Sequence, residues 1–178
     1  MKTLVLTFIA HDRPGLVEQL AAAVSTAGGN WLESRMARLA EKFAGIARVE
    51  ISAGKVNALK IALAALEEEG FALTMEDTAA DTVSVGPLLT LDLLGPDQPG
   101  IVHDISRCLS ERGVSVEEME THIRRAPMGG DLLFQAQAKV RVPARLSEDD
   151  LRDALEALAG AMMVDITLRE DEGVNTGT

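Results

Sequence analysis

Cysteine is almost missing from this chain: Cys108 stands alone among 178 residues. A single cysteine excludes an internal disulfide and any cysteine-built metal site. Tyrosine is absent and aromatics make up 3% of the chain, so a core must be filled by Leu, Ile, Val, Ala and Met. Basic residues are outnumbered 17 to 28, for a formal net charge of −11, with −3 up to Gly86 and −8 after it. Neither half carries a basic patch, which argues against direct binding to a nucleic-acid backbone. A transcriptional role exerted through another protein stays open. No apolar run approaches the roughly 20 residues a membrane helix needs. The start Met1–Leu6 passes into a strand pattern with no cleavage motif, so a cytoplasmic location is expected.

What is present is a phrase written twice. His11-Asp12-Arg13-Pro14-Gly15-Leu16-Val17 has its echo in Pro96-Asp97-Gln98-Pro99-Gly100-Ile101-Val102. Each follows strand-forming residues and opens a run with helical spacing, so the chain reads as one unit repeated. After the first phrase, Leu16, Leu20, Ala23, Val24 and Ala27 recur at three and four, and Gly28-Gly29 stops the helix. Asn30–Leu39 and Phe43–Ser52 read as strands joined through Ala40-Glu41-Lys42. Val56, Leu59, Leu63 and Leu66 mark a second helix, and Phe71, Leu73 and Met75 a closing strand. The second half repeats the order. Leu132, Phe134, Ala136, Ala138, Val140 and Val142 alternate there with polar residues, a half-buried strand. Ser147 and Asp150 resemble a capping box at the start of the last helix.

The expected fold is therefore α+β: two ferredoxin-like βαββαβ units in tandem, each an antiparallel sheet with both helices on one face. The expected boundaries are residues 1–78 for the first domain, 79–87 for a linker with some strand character at Thr82–Val85, 88–169 for the second domain and 170–178 for a polar, disordered tail. The first strand, with apolar residues of both parities from Leu4 to Ile9, is expected to be covered at least in part on both faces.

The residues Asp12-Arg13-Pro14-Gly15-Leu16-Val17, Gly29-Asn30 and Glu33-Ser34-Arg35, followed by Asp97, Pro99-Gly100-Ile101-Val102-His103, Ser110-Glu111-Arg112-Gly113 and Arg141-Val142-Pro143-Ala144, resemble the ACT-domain family. More narrowly they resemble tandem proteins of the glycine cleavage system repressor type. The resemblance implies a regulatory binding module, not an enzyme. Its effector would be a small amino acid, glycine or similar, and its partner a protein such as a DNA-binding activator. A homo-oligomer is expected. The alternatives are a ligand-free interaction module and a regulatory subunit of an amino-acid-metabolism enzyme.

The turns carry a physical case of their own. A proline at the first helical position loses no hydrogen bond, and Gly15 and Gly100 let a ligand approach the backbone. The open N–H groups of the first helical turn favour a carboxylate, while Asp12 and Asp97 can accept from an ammonium. The expected ligand residues are Asp12, Arg13, Pro14, Gly15, Leu16, Val17 and Asn30 in the first unit. In the second they are Asp97, Gln98, Pro99, Gly100, Ile101, Val102 and Ser115. Gln98 in place of Arg13 makes the turns inequivalent, and the first keeps the fuller pattern. The same phrase also serves as plain strand-to-helix turn chemistry with Asp as N-cap. Trp31 reads as a packed anchor or a pocket wall, and Cys108 as core. His11, His103 and His122 are scattered without ligand spacing, so no metal or cofactor is expected. No catalytic constellation emerges.

Overall fold

The computed structural model describes residues 1–78 and 85–171. The residues read as the first part of a linker (79–84), with most of its Thr82–Val85 strand character, and as most of the tail (172–178) lie outside the described ones. The chain divides into two compact units, Met1–Thr82 and Val83–Thr178.

In the first unit β1 (Lys2–His11), α1 (Leu16–Thr26), β2 (Asn30–Leu39), β3 (Lys42–Ile51), α2 (Val56–Glu68) and β4 (Ala72–Asp77) follow in order. The second unit repeats them as β5 (Leu88–Pro96), α3 (Ile101–Ser110), β6 (Ser115–Arg125), β7 (Leu132–Arg141), α4 (Glu148–Met162) and β8 (Asp165–Glu170). The sheets run β2-β3-β1-β4 and β6-β7-β5-β8, antiparallel throughout. This is the βαββαβ architecture that the periodicity implies, twice over.

Alternation decides which face of each sheet is closed. Leu4, Leu6, Phe8 and Ala10 of β1 are buried with Ala47, Val49 and Ile51 of β3. Against them pack Leu16, Leu20 and Val24 of α1 and Leu59, Leu63 and Leu66 of α2. The apolar positions of the helices recur at three and four, so one stripe of each meets this surface. Ile9, on the other face of β1, is 43% exposed. That face is thus covered in part, with Val5 half-buried, while the helix face is closed. The second core has the same plan: Leu89, Leu91 and Leu93 of β5 meet Ile101, Ile105, Cys108 and Leu109 of α3 and Leu151 and Leu155 of α4. Cys108 is a core residue, and Trp31 packs partly buried against the first core.

Three details differ from the sequence reading. Pro14 and Pro99 do not occupy first helical positions: the N-caps are Gly15 and Gly100, at φ 91° and 93°. That left-handed conformation suits glycine, and it moves each helix start two residues past the proline, to Leu16 and Ile101. The last strand, whose pattern implies a run from Met162 to Leu168, begins at Asp165, because α4 continues to Met162 and Met163 turns the chain at φ 54°. It also extends through Arg169 and Glu170, which pair with Thr90 and Leu89. The Ser147 cap is present, its hydroxyl accepting from the Asp150 N–H at 3.1 Å. The Asp150 carboxylate is met by that same hydroxyl at 2.6 Å, where a full capping box would use the Ser147 N–H.

Candidate functional site

Each β-α turn is fixed to the hairpin beside it by one backbone bond. The Asp12 N–H donates to Glu41 O and the Asp97 N–H to Leu132 O, both at 2.9 Å. Gly15 and Gly100 then set the helix direction. Neither α1 nor α3 has a side-chain cap, whereas α4 is capped by Ser147. The first-turn amides of α1 and α3 are consequently left to solvent or a ligand, and the helix dipole makes that ligand anionic.

At the first turn these amides border a recess of about 310 Å³, lined by Asp12, Arg13, Gly15, Leu16, Val17, Glu18 and Phe43. Its volume suits a small molecule at the lower end of the range for ligand sites. Leu16 is 3% exposed and Ile101, its counterpart, 2%, so both belong to the core and offer a ligand their backbone only. Val17 and Val102 are exposed, at 44% and 41%. Pro14 and Pro99 lie at the surface and shape the turns.

The aspartates differ in surroundings. Asp12 Oδ2 is 2.7 Å from Arg38 Nε, an ion pair between the turn and the end of β2. Asp12 is therefore not an N-cap. The Asp97 side chain, at the surface, has no bond or ion pair among the described residues. The strand register explains this: Arg38 lies opposite Phe43, and the matching place beside Phe134 is taken by Ile123. Arg38 and Phe43 were not identified from the sequence. Their signal lay in the hairpin register, which brings them level with Ala10 and the turn.

Arg13 borders the recess, but its guanidinium leads away to Gln19 Oε1 (3.1 Å) and the Glu69 carbonyl (3.3 Å), 5.9 Å from the centre of the Phe71 ring. Gln98 donates to the Met162 carbonyl at 2.7 Å. Glu69 and Met162 stand at matching places, at the ends of α2 and α4. Both side chains thus donate to a carbonyl at a helix end, Arg13 making further contacts, and the turns differ in addition at Arg38 and Ile123.

Asn30 and Ser115 are not brought to the turns of their own units. Asn30 lies beside Glu50, which pairs with Thr3 at the far end of β1. Ser115 lies beside Arg141, which pairs with Leu88. At about 3.3 Å per strand residue, the span of β1 separates Asn30 from Asp12 by about 30 Å. His11 approaches Glu41 at 3.9 Å and His103 approaches Asp104 at 3.1 Å, while His122 sits in β6 opposite Gln135. No group of His, Cys, Asp and Glu with metal-binding geometry occurs among the described residues.

Two tandem ferredoxin-like units, each opening its first helix on an uncapped glycine turn, define the class of fold. Residues 2–76 match the family model described as ACT domain. The second unit repeats that topology strand for strand, so the chain has the fold of two ACT domains in tandem. Among solved structures it is similar to an unknown protein from Galdieria sulphuraria, at 29% identity and a TM-score of 0.82, over 95% of this chain and 98% of the other. It is similar in fold to a protein assigned as a glycine cleavage system transcriptional repressor, at 19% identity and a TM-score of 0.71, over 94% and 96% of the two chains. No curated protein matches the sequence.

Proposed function

We propose that this protein is a non-catalytic regulator that binds a small amino acid at the first β-α turn and acts through a protein partner. The observation that carries the reading is the recess at the start of α1, where uncapped amides lie beside Asp12. The ligand carboxylate takes the helix-start amides, and its ammonium takes the Asp12 oxygen that Arg38 does not hold. The effector in this reading is glycine or a similarly small amino acid. The acidic balance of the chain directs it toward a protein such as a DNA-binding activator and away from DNA itself, in the cytoplasm. Its form there is a homo-oligomer. Ligand changes the population of partner-binding arrangements only if it binds one arrangement more tightly.

The test is thermal unfolding with each amino acid in turn. Ligand at a hundred times its Kd adds about 2.7 kcal/mol of stability. Asp12→Ala is expected to remove the shift. One observation favours a second reading, a ligand-free interaction module: the Asp12–Arg38 ion pair gives the aspartate a structural job of its own. Absence of a shift with every amino acid selects that reading.

A further inference from the structure

We infer that Arg13 and Gln98 are positioning residues, each clasping its β-α turn to the exit of the second helix in its own unit. A helix leaves its last carbonyls without internal partners. At the end of α2, the Gly70 and Phe71 N–H groups return to the Glu67 and Leu66 carbonyls, both at 3.1 Å. This backbone closure accounts for two of the four orphan acceptors and leaves the Glu68 and Glu69 carbonyls. Arg13 Nη2 supplies a donor to the latter at 3.3 Å. At the end of α4 the Val164 N–H returns to the Ala159 carbonyl at 3.1 Å, and Met163 holds the left-handed place of Gly70. Met162 is among the carbonyls left, and Gln98 Nε2 reaches it at 2.7 Å.

The two observations are independent, since they come from different units, different side chains and different loop lengths. What they share is an N–H donor placed on the same orphan carbonyl. The role thus requires a donor of sufficient reach and does not require a positive charge. In the first unit the clasp is reinforced: Gln19 Nε2 donates to the Glu69 carboxylate at 2.8 Å while its Oε1 accepts from Arg13. The guanidinium also stacks over Phe71, the first buried residue beyond the helix. The turn, α1 and the start of β4 are held as one piece.

This inference rests on the proposed function in one respect, that the clasped turn is where the ligand sits. It then assigns Arg13 and Gln98 to holding the turn, and leaves ligand contact to the amides and Asp12. Hydrogen exchange of the full-length protein without ligand tests the clasp separately. Arg13→Ala is expected to speed exchange about tenfold at the hydrogen-bonded amides of Gln19 and of residues 69–71 together, as loss of a charged donor loosens both ends. Arg13→Gln, which copies the second unit, should stay within about twofold of the parent. Gln98→Ala should act likewise at Asp104 and residues 162–164. Unchanged exchange in Arg13→Ala, or exchange in Arg13→Gln as fast as in Arg13→Ala, overturns the assignment. Amino-acid titrations complete the test: an Arg13→Gln variant that keeps native exchange but loses the parent's thermal shift makes Arg13 a ligand group and refutes the inference. A parent without any shift defeats the ligand reading alone, because the exchange comparison contains no ligand.

Discussion

The ends of α2 and α4 offer a paired experiment on backbone strain. Both helices close through a residue in the left-handed region, Gly70 at φ 98° and Met163 at φ 54°. An L-residue there places its β-carbon against the following carbonyl, at about 1–2 kcal/mol. Met163 is 81% exposed, so replacing its side chain by hydrogen removes little packing. Glycine gives back about 0.4–1 kcal/mol through the greater freedom of the unfolded chain. The expected net effect of Met163→Gly is stabilisation by about 0.5–1 kcal/mol. For a domain of this size that is a rise of a few degrees in Tm. Gly70→Ala should act in the opposite sense by about 1 kcal/mol, although nothing lies within 4 Å of the added carbon. Urea unfolding followed by circular dichroism measures both, with an unchanged slope required so that the midpoint reports stability. Hydrogen exchange assigns each change to its unit. Should Met163→Gly lower the midpoint, the strain argument fails and the Met163 side chain must be making a contact that matters.

Other substitutions follow from particular contacts. Ala40 closes the β2–β3 hairpin at φ 52°, so Ala40→Asn, which tolerates that region, is expected to raise stability by about 0.5 kcal/mol in the same unfolding assay. Gly45 lies opposite Phe8, and a β-carbon there would sit 2.6 Å from Met36 Cβ and 2.7 Å from the Arg35 carbonyl. Gly45→Ala should therefore cost about 1–3 kcal/mol and disturb the Phe8–Phe43 stack, read by the unfolding midpoint. Burial pushes the Asp92 carboxyl up, but hydrogen bonds from Gln137 and Arg169 and the Arg169 charge outweigh it and hold the group below its ordinary value. A depressed carboxylate stabilises the fold above the ordinary carboxylate range and loses that contribution as pH falls through its folded value. Asp92→Asn should thus lower stability at neutral pH and flatten the acid limb of a stability–pH curve.

The repeat, the order of elements and the buried faces were legible because they rest on periodicity, which a sequence displays directly. Leu132 through Val142 shows its alternation without any knowledge of its neighbours. The Ser147 cap was legible for the same reason, being local. The conformation of Gly15 and Gly100 was not, since Asp-x-Pro-Gly is compatible both with a helix starting at the proline and with one starting after the glycine. Arg13 and Gln98 looked unlike because their charges differ. Their common acceptor lies more than fifty residues away at a helix end, and side-chain chemistry alone does not locate it. Arg38 was missed because its relation to Asp12 exists only through the β1–β3–β2 register. The grouping of Asn30 with Asp12 failed within the unit because antiparallel pairing sends the start of β2 to the opposite end of the sheet.

The position of Trp31 gives the molecule an internal optical reporter. It is the single tryptophan of the chain, partly buried against the first core beside Val49, which pairs with Leu4. The length of β1 keeps it about 25 Å from the Asp12 turn, too far for a molecule in that recess to touch the indole. Any change in its emission when an amino acid is added would register a rearrangement carried along the strands, and its time course would give the rate of that rearrangement.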